Sequence, residues 1–352
     1  MKKIIVAALA LALMAGSAYA AEWNFYGEAM IYTVWTDEDQ IDGSNDGDTQ
    51  FAEGLYDGSA IGAEVKVSDE LTGRFEYGAA DGNADVVLLY GEWNFGSGIL
   101  TVGKAYSPIN VTYSNQLVAG EEEQDLGLGG FGDFDQDEIS QVKLTFGGFS
   151  IALLNPEKDA YINTNGTLNS ENDTYETQAV IPMIAACYKA GFDMGEVQIA
   201  GGYNTFEIND DEDVDAFGIG LGAQLNFGAF GMFGTFVWGE NIANLGTATG
   251  TQYEGKAVYN NGDVDDCESI GGTIGVAYTV NDMLALEAGY GYIHDDYDVD
   301  GKSTSIAQSY YLQAPITLAP GVTVTPEVGM IDERESGLNE TVYFGACWAI
   351  AF

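Results

Sequence analysis

The sequence predicts an all-β fold: a 16-stranded antiparallel transmembrane β-barrel with short periplasmic turns and long extracellular loops. Three observations predict it. Apolar residues recur at every second position along most of the chain, with no 3.6-residue periodicity beyond the N-terminus. Connections alternate between tight turns and long acidic loops. The chain opens on an export signal and closes on an aromatic strand.

Residues 1–20 read as a signal peptide: Lys2 and Lys3, an apolar run from Ile4 to Met14, then Ala18-Tyr19-Ala20 before the cut. That run is too short to span, and no later stretch approaches the ~20 continuous apolar residues a spanning helix needs. The domain expected is therefore a single barrel over 21–352. Losing Lys2 and Lys3 takes the formal charge from −44 to −46. Such a charge excludes nucleic acid and anionic lipid surfaces as partners and favours handling of cations.

In the first strand Trp23, Phe25, Ala29, Ile31 and Trp35 share one face, and Asn24, Tyr26, Glu28 and Tyr32 the other. Ile61, Ala63, Val65 and Val67 then oppose Glu64 and Lys66; Leu71, Phe75 and Tyr77 oppose Thr72, Arg74 and Glu76. Sixteen segments follow this pattern, starting near 22, 58, 70, 85, 98, 138, 149, 176, 196, 213, 229, 269, 283, 305, 322 and 340. Fourteen or eighteen strands remain compatible, because 138–155 and 176–195 are poorly delimited. The last segment puts Val342, Phe344, Ala346, Trp348, Ile350 and the terminal Phe352 on one face, as a lipid-facing, barrel-closing strand requires. Short turns hold Ser68-Asp69, Gly147-Gly148, Gly228 and Asn281-Asp282; long loops run roughly over 37–57, 105–137, 156–175, 241–268 and 295–304. Gly218-Ile219-Gly220-Leu221-Gly222 resembles a nucleotide loop, but it lies inside a strand pattern with no following helix and reads as barrel glycine.

Leu89 to Lys104 followed by Tyr106-Ser107-Pro108, Asn24-Phe25-Tyr26-Gly27 near the start, Phe146-Gly147-Gly148-Phe149 and the terminal Phe352 together resemble the trimeric Gram-negative porins. The likeness covers the first third and the end of the chain. It departs at Lys104, where the family has Arg, and in the shortened string Gly129-Gly130-Phe131-Gly132-Asp133. It implies a general diffusion porin: a water-filled channel, three per assembly, narrowed by a third loop (about 105–137) folded into the pore. Its partners would be outer-membrane lipid and lipopolysaccharide, two further copies in a homotrimer, and the barrel-insertion machinery that reads Phe352.

Residue chemistry independently suggests a polarised constriction. Lys66, Arg74 and Lys143 have lumen parity; Lys104 shares parity with Leu100 and Val102 and reaches the lumen only if Gly103 forms a bulge. Opposite them the third loop carries Glu121, Glu122, Glu123, Asp125, Asp133, Asp135 and Asp137. Cations facing carboxylates set up a transverse field. Alternatively each base forms an ordinary salt bridge to a wall acid such as Glu64 or Glu76. Glu28, Glu64, Glu76, Glu92, Glu287 and Glu327 also have lumen parity, so acids outnumber bases. Two unit charges ~8 Å apart at an effective dielectric of ~40 interact by ~1 kcal/mol, enough for several carboxylates to bias permeation towards cations.

No cofactor is expected, except structural calcium. Asp42, Ser44, Asp46 and Glu53 fit an oxygen-ligand loop spacing, and Asp296, Asp298 and Asp300 supply the first half of another, though acidic turns generate such spacings by chance. Cys187, Cys267 and Cys347 are too few and too scattered for a disulfide framework. His294-Asp295-Asp296 lacks a marked nucleophile, so no enzyme is expected. The leading function is a cation-preferring pore for small hydrophilic solutes. The alternatives are an adhesive barrel with cation-binding loops and a substrate-selective channel.

Overall fold

A computed structural model describes residues 21–39, 49–79, 84–118, 128, 131–164, 167–169, 176–209, 212–247, 249–251, 254–260, 262–297, 304–333 and 340–352. It is a closed 16-stranded antiparallel barrel. The first eight strands are Glu22–Asp39, a second in two pieces (Gln50–Leu55 and Ala60–Lys66), Leu71–Gly78, Asp85–Asn94, Ile99–Tyr106, Glu138–Phe146, Phe149–Leu154, and an eighth comprising Thr177–Gln178 and Met183–Phe192. The others are Gly195–Ile208, Glu212–Phe227, Phe230–Glu240, Cys267–Asn281, Leu284–Tyr297, a fourteenth comprising Ser305–Gln313 and Ile316–Ala319, then Val322–Asp332 and Glu340–Ala351.

Each interruption has a local cause. Pro182 and Pro315 lack the N–H a ladder needs, and both stand where a strand divides. In the second strand, Ser59 replaces the ladder: its Oγ accepts from Met30 N and donates to Met30 O, both at 2.9 Å. The loop over 37–57 is accordingly narrower than its composition suggests, because pairing continues to Asp39 on one side and resumes at Gln50 on the other.

The two faces follow the alternation. Phe25 is 71 % exposed and Ile31 48 %, whereas Tyr32 and Val34 on the opposite parity are buried. Outward aromatics cluster near the strand ends: Trp23 stacks on Phe25, and Trp35 stacks on Phe344 and meets Phe51. Such belts suit the two lipid–water interfaces. Closure satisfies every ladder group that lipid could not solvate. The sixteenth strand pairs with the first from Glu28↔Ala351 to Asp39↔Glu340, and Phe352 and Gly27 exchange both backbone hydrogen bonds, at 2.8 and 2.9 Å. Deleting Phe352 removes the final pair and the ring that covers Gly27, so outer-membrane accumulation in fractionated cells should fall strongly. Unchanged levels would count against this residue as the insertion signal.

Between barrel strands, the loops over 155–176 and 241–266 contain Tyr161–Thr164, Thr167–Asn169, Val258–Asn260 and Asp263–Asp265, which form a small sheet with one parallel pairing. A 3-10 turn, Ile242–Leu245, precedes it. Lys256 Nζ ties the two loops at 2.6 Å from Asp159, with Glu254 at 3.3 Å.

Candidate functional site

The described residues between Tyr106 and Glu138 leave the wall and enter the barrel, where they lie against the inner faces of the ninth to sixteenth strands. What seats it is a set of bare wall positions. Gly218, Gly220 and Gly222 alternate inward on the tenth strand; a Cβ at Gly220 would lie 2.5 Å from Phe134, and one at Gly222 2.6 Å from Val111. The glycine string thus makes room for the loop. Gly132 shows the same closeness from the loop side: its φ of +108° disfavours a side chain, and a Cβ there would lie 2.6 Å from Tyr292 O. Ile109, Val111, Val118, Phe131 and Phe134 are buried as a result, in a core shared with inward wall residues.

Polar anchors fix the loop's tip. Glu287 accepts from Asn115 N at 2.9 Å and Asn115 Nδ2 at 2.8 Å. Glu327 accepts from Gln116 Nε2 at 2.7 Å, Val118 N at 3.0 Å and Tyr343 OH at 2.7 Å. Tyr311 OH reaches both Glu287 and Ser114. Lumen parity placed these two glutamates on the channel wall; the loop covers both, so they hold structure and do not meet solute.

At the returning limb, Asp133 is buried between three hydroxyls: Thr112 at 2.7 Å, Thr235 at 2.9 Å and Thr273 at 3.1 Å. Burial pushes its carboxyl up to about 6 against the hydroxyls that favour the charged form. Asp135 accepts from Asn110 Nδ2 at 2.6 Å. Burial first, then the neighbouring Asp137, Asp133 and Glu138, push it up to about 7. Asp137 is exposed. Glu121, Glu122, Glu123 and Asp125 lie outside the described residues.

The other half of the lumen wall carries the bases. Arg74 donates from Nε to Tyr26 OH and from Nη2 to Glu76, each at 2.8 Å. Lys143 donates to Tyr106 O at 2.9 Å, at the loop's root. Lys66 sits beside the short turn, 2.8 Å from Asp69. Lys104 stands apart from these. Pairing runs through Gly103 without a shift, so Lys104 keeps the parity of the exposed Val102, and its Nζ donates to Val86 O at 2.7 Å. A further base, Lys189, points inward 2.5 Å from Glu196 and 5.9 Å from the centre of the Tyr113 ring. Its parity with the buried Met183, Ala185 and Cys187 was the available signal.

Of the calcium candidates, Asp42, Ser44, Asp46, Asp298 and Asp300 lie outside the described residues. Glu53 belongs to the second strand and Asp296 to the thirteenth, opposite Glu268. Among the described residues no group of three or more potential ligands converges on a metal position. Cys187, Cys267 and Cys347 are buried and form no disulfide.

Solved structures with this fold are outer-membrane channels. The channel DcaP of Acinetobacter baumannii superposes with a TM-score of 0.74 at 15 % identity, over 96 % of this chain and 99 % of that one. The trimer form of OmpT from Vibrio cholerae gives 0.56 at 16 %, over 95 % and 100 %. An anion-selective porin from Comamonas acidovorans gives 0.59 at 14 %, over 94 % and 100 %. No curated protein matches the sequence. The family profile of the Gram-negative porins matches residues 7–336. With that match over a closed barrel whose lumen is partly filled by its own loop, the chain belongs to the Gram-negative porin family: a non-enzymatic outer-membrane channel for passive diffusion.

Proposed function

We propose that the channel prefers cations and that the infolded loop sets its narrowest passage. One observation carries the preference. Three of the inward bases already have a carboxylate at 2.8 Å or less, in the pairs Arg74–Glu76, Lys66–Asp69 and Lys189–Glu196. Paired bases add little positive potential to the passage, while Glu64 and Glu92 on the same wall, and Asp137 at the loop's root, add negative potential. The anion-selective relative from Comamonas acidovorans shares the barrel; the sign of selectivity therefore rests on side chains and not on the fold. In a planar bilayer under a salt gradient, the reversal potential should report cations, and the preference should shrink as ionic strength rises and the screening length falls from ~10 Å at 0.1 M to ~3 Å at 1 M. An anion-signed potential would overturn the reading.

The assembly proposed is a homotrimer, as in the OmpT form named above. Gly27, Ala29 and Gly73 thin the outer wall of the early strands, which lets a neighbouring barrel approach closely. Unheated detergent gels should show a heat-labile species three times the chain's mass; a monomer in mild detergent would exclude it.

A further inference from the structure

The half of the wall that the loop leaves bare holds a cavity of about 560 Å³ beside the short-turn mouth, formed by the first four strands. Two neighbouring rungs of the barrel ladder line it. Along one, Glu22 pairs with Lys66, Lys66 with Thr72, and Thr72 with Glu92. Along the next, Glu64 pairs with Arg74 and Arg74 with Tyr90. Adjacent strands are ~4.8 Å apart, and same-face rungs two residues apart are separated by ~6.6 Å. Glu22, Lys66, Glu64 and Arg74 therefore each have the other sign one strand away, and Glu92 has Arg74 on the diagonal.

We propose that this cavity is a transient binding site for small zwitterions, aminocarboxylates whose carboxylate meets Arg74 and whose ammonium meets Glu64. The inference rests on the chain acting as an open diffusion channel. A solute bearing one charge gains beside one strand and is repelled beside the next; a solute bearing both, spaced by about one strand separation, gains at each. Arg74 is suited to the part because it is already held. Tyr26 and Glu76 take two of its five N–H donors and fix the guanidinium plane, with the Tyr26 ring centre 5.2 Å away. An immobilised fork does not have to be ordered by each passing solute. Lys66 likewise keeps donors beyond the one given to Asp69. The cavity lies away from the infolded loop, so it is separate from the narrowest passage and acts on solute leaving or entering at the short-turn mouth.

Swelling of proteoliposomes containing the full-length channel tests this with four hydrophilic probes: γ-aminobutyrate as zwitterion, erythritol as neutral reference, choline as monocation and gluconate as monoanion. Rates are taken relative to erythritol in the same vesicles, which cancels differences in the amount of inserted channel. For the unmodified channel γ-aminobutyrate should exceed erythritol by about threefold, the effect expected of one partly exposed ion pair. Arg74→Gln and, separately, Glu64→Gln should each bring that ratio close to one, with Arg74→Gln raising the choline ratio and Glu64→Gln lowering it. A ratio near one in the unmodified channel, or a ratio that survives both substitutions, would overturn the site. Choline alone running ahead would show a plain acidic cation path instead. Vesicles that exclude erythritol altogether would refute the open diffusion channel itself, a result distinguishable from the loss of zwitterion preference.

Discussion

Replacing Glu327 with alanine should change the single-channel conductance and make the current noisy. Glu327 is 4 % exposed and accepts hydrogen bonds from Gln116 Nε2, Val118 N and Tyr343 OH. Alanine leaves Val118 N and Tyr343 OH buried without that acceptor, at a cost of ~1–3 kcal/mol for each, while Gln116 Nε2 keeps only Tyr343 OH, at 2.8 Å. The loop can recover part of that by lifting its tip from the wall towards water, which moves it into the passage or out of it. Glu287, holding Asn115 from the next anchor, limits the movement. The two anchors share one loop segment, so the double replacement should exceed the sum of the single ones. Glu327→Gln should fall between: it retains one acceptor oxygen, but its amide presents N–H groups where N–H donors already point. Planar-bilayer recordings at constant salt measure both readouts. Unchanged conductance and unchanged noise in the double variant would show that the tip is held by its apolar packing alone.

Strand alternation made the barrel legible in the sequence, since a half-lipid, half-lumen wall imposes a period of two wherever it occurs. The expected start near 340 and the closing role of Phe352 rest on that period, and so does the outward face of Trp23, Phe25 and Ile31. Parity has one blind spot: it tells which side a residue faces and says nothing of what covers it. Glu287 and Glu64 have the same parity, yet one lies beneath the infolded loop and the other lines open wall. The glycines at 218, 220 and 222 were readable as strand residues. Their use as a seat for Phe134 and Val111 depends on contacts between segments more than eighty residues apart in sequence, which local pattern cannot reveal. The parallel pairing of Tyr161–Asn163 with Val258–Asn260 escaped for the same reason. Lys104 was decided by register: with no shift at Gly103, its side chain stays on the outer parity.

The cation preference should grow as pH rises from 5 to 8, and Asp135→Asn should flatten that dependence. The sign follows from burial. Asp135 titrates near 7 and Asp133 near 6, both above the ordinary carboxylate value of 3.8. A carboxyl raised in this way favours the folded arrangement when protonated. Its contribution is complete below the ordinary value and is lost as pH rises through the raised one. At pH 5 Asp133 and Asp135 are therefore mostly neutral and the limb is firmly docked; by pH 8 they add two negative charges beside the exposed Asp137. Those charges add to the negative potential of the passage and loosen the limb that bears them. Asparagine at 135 preserves an oxygen for Asn110 Nδ2 and removes the titration, which separates charge from packing. Neutralising the exposed Asp37 and Asp39 at the end of the first strand provides the contrast, because exposed charges are screened over ~8 Å at physiological salt. Reversal potentials measured across the pH series decide between the two. Equal shifts from both sets of substitutions would assign selectivity to the general surface potential, and a pH profile unaltered by Asp135→Asn would remove this carboxylate from the passage.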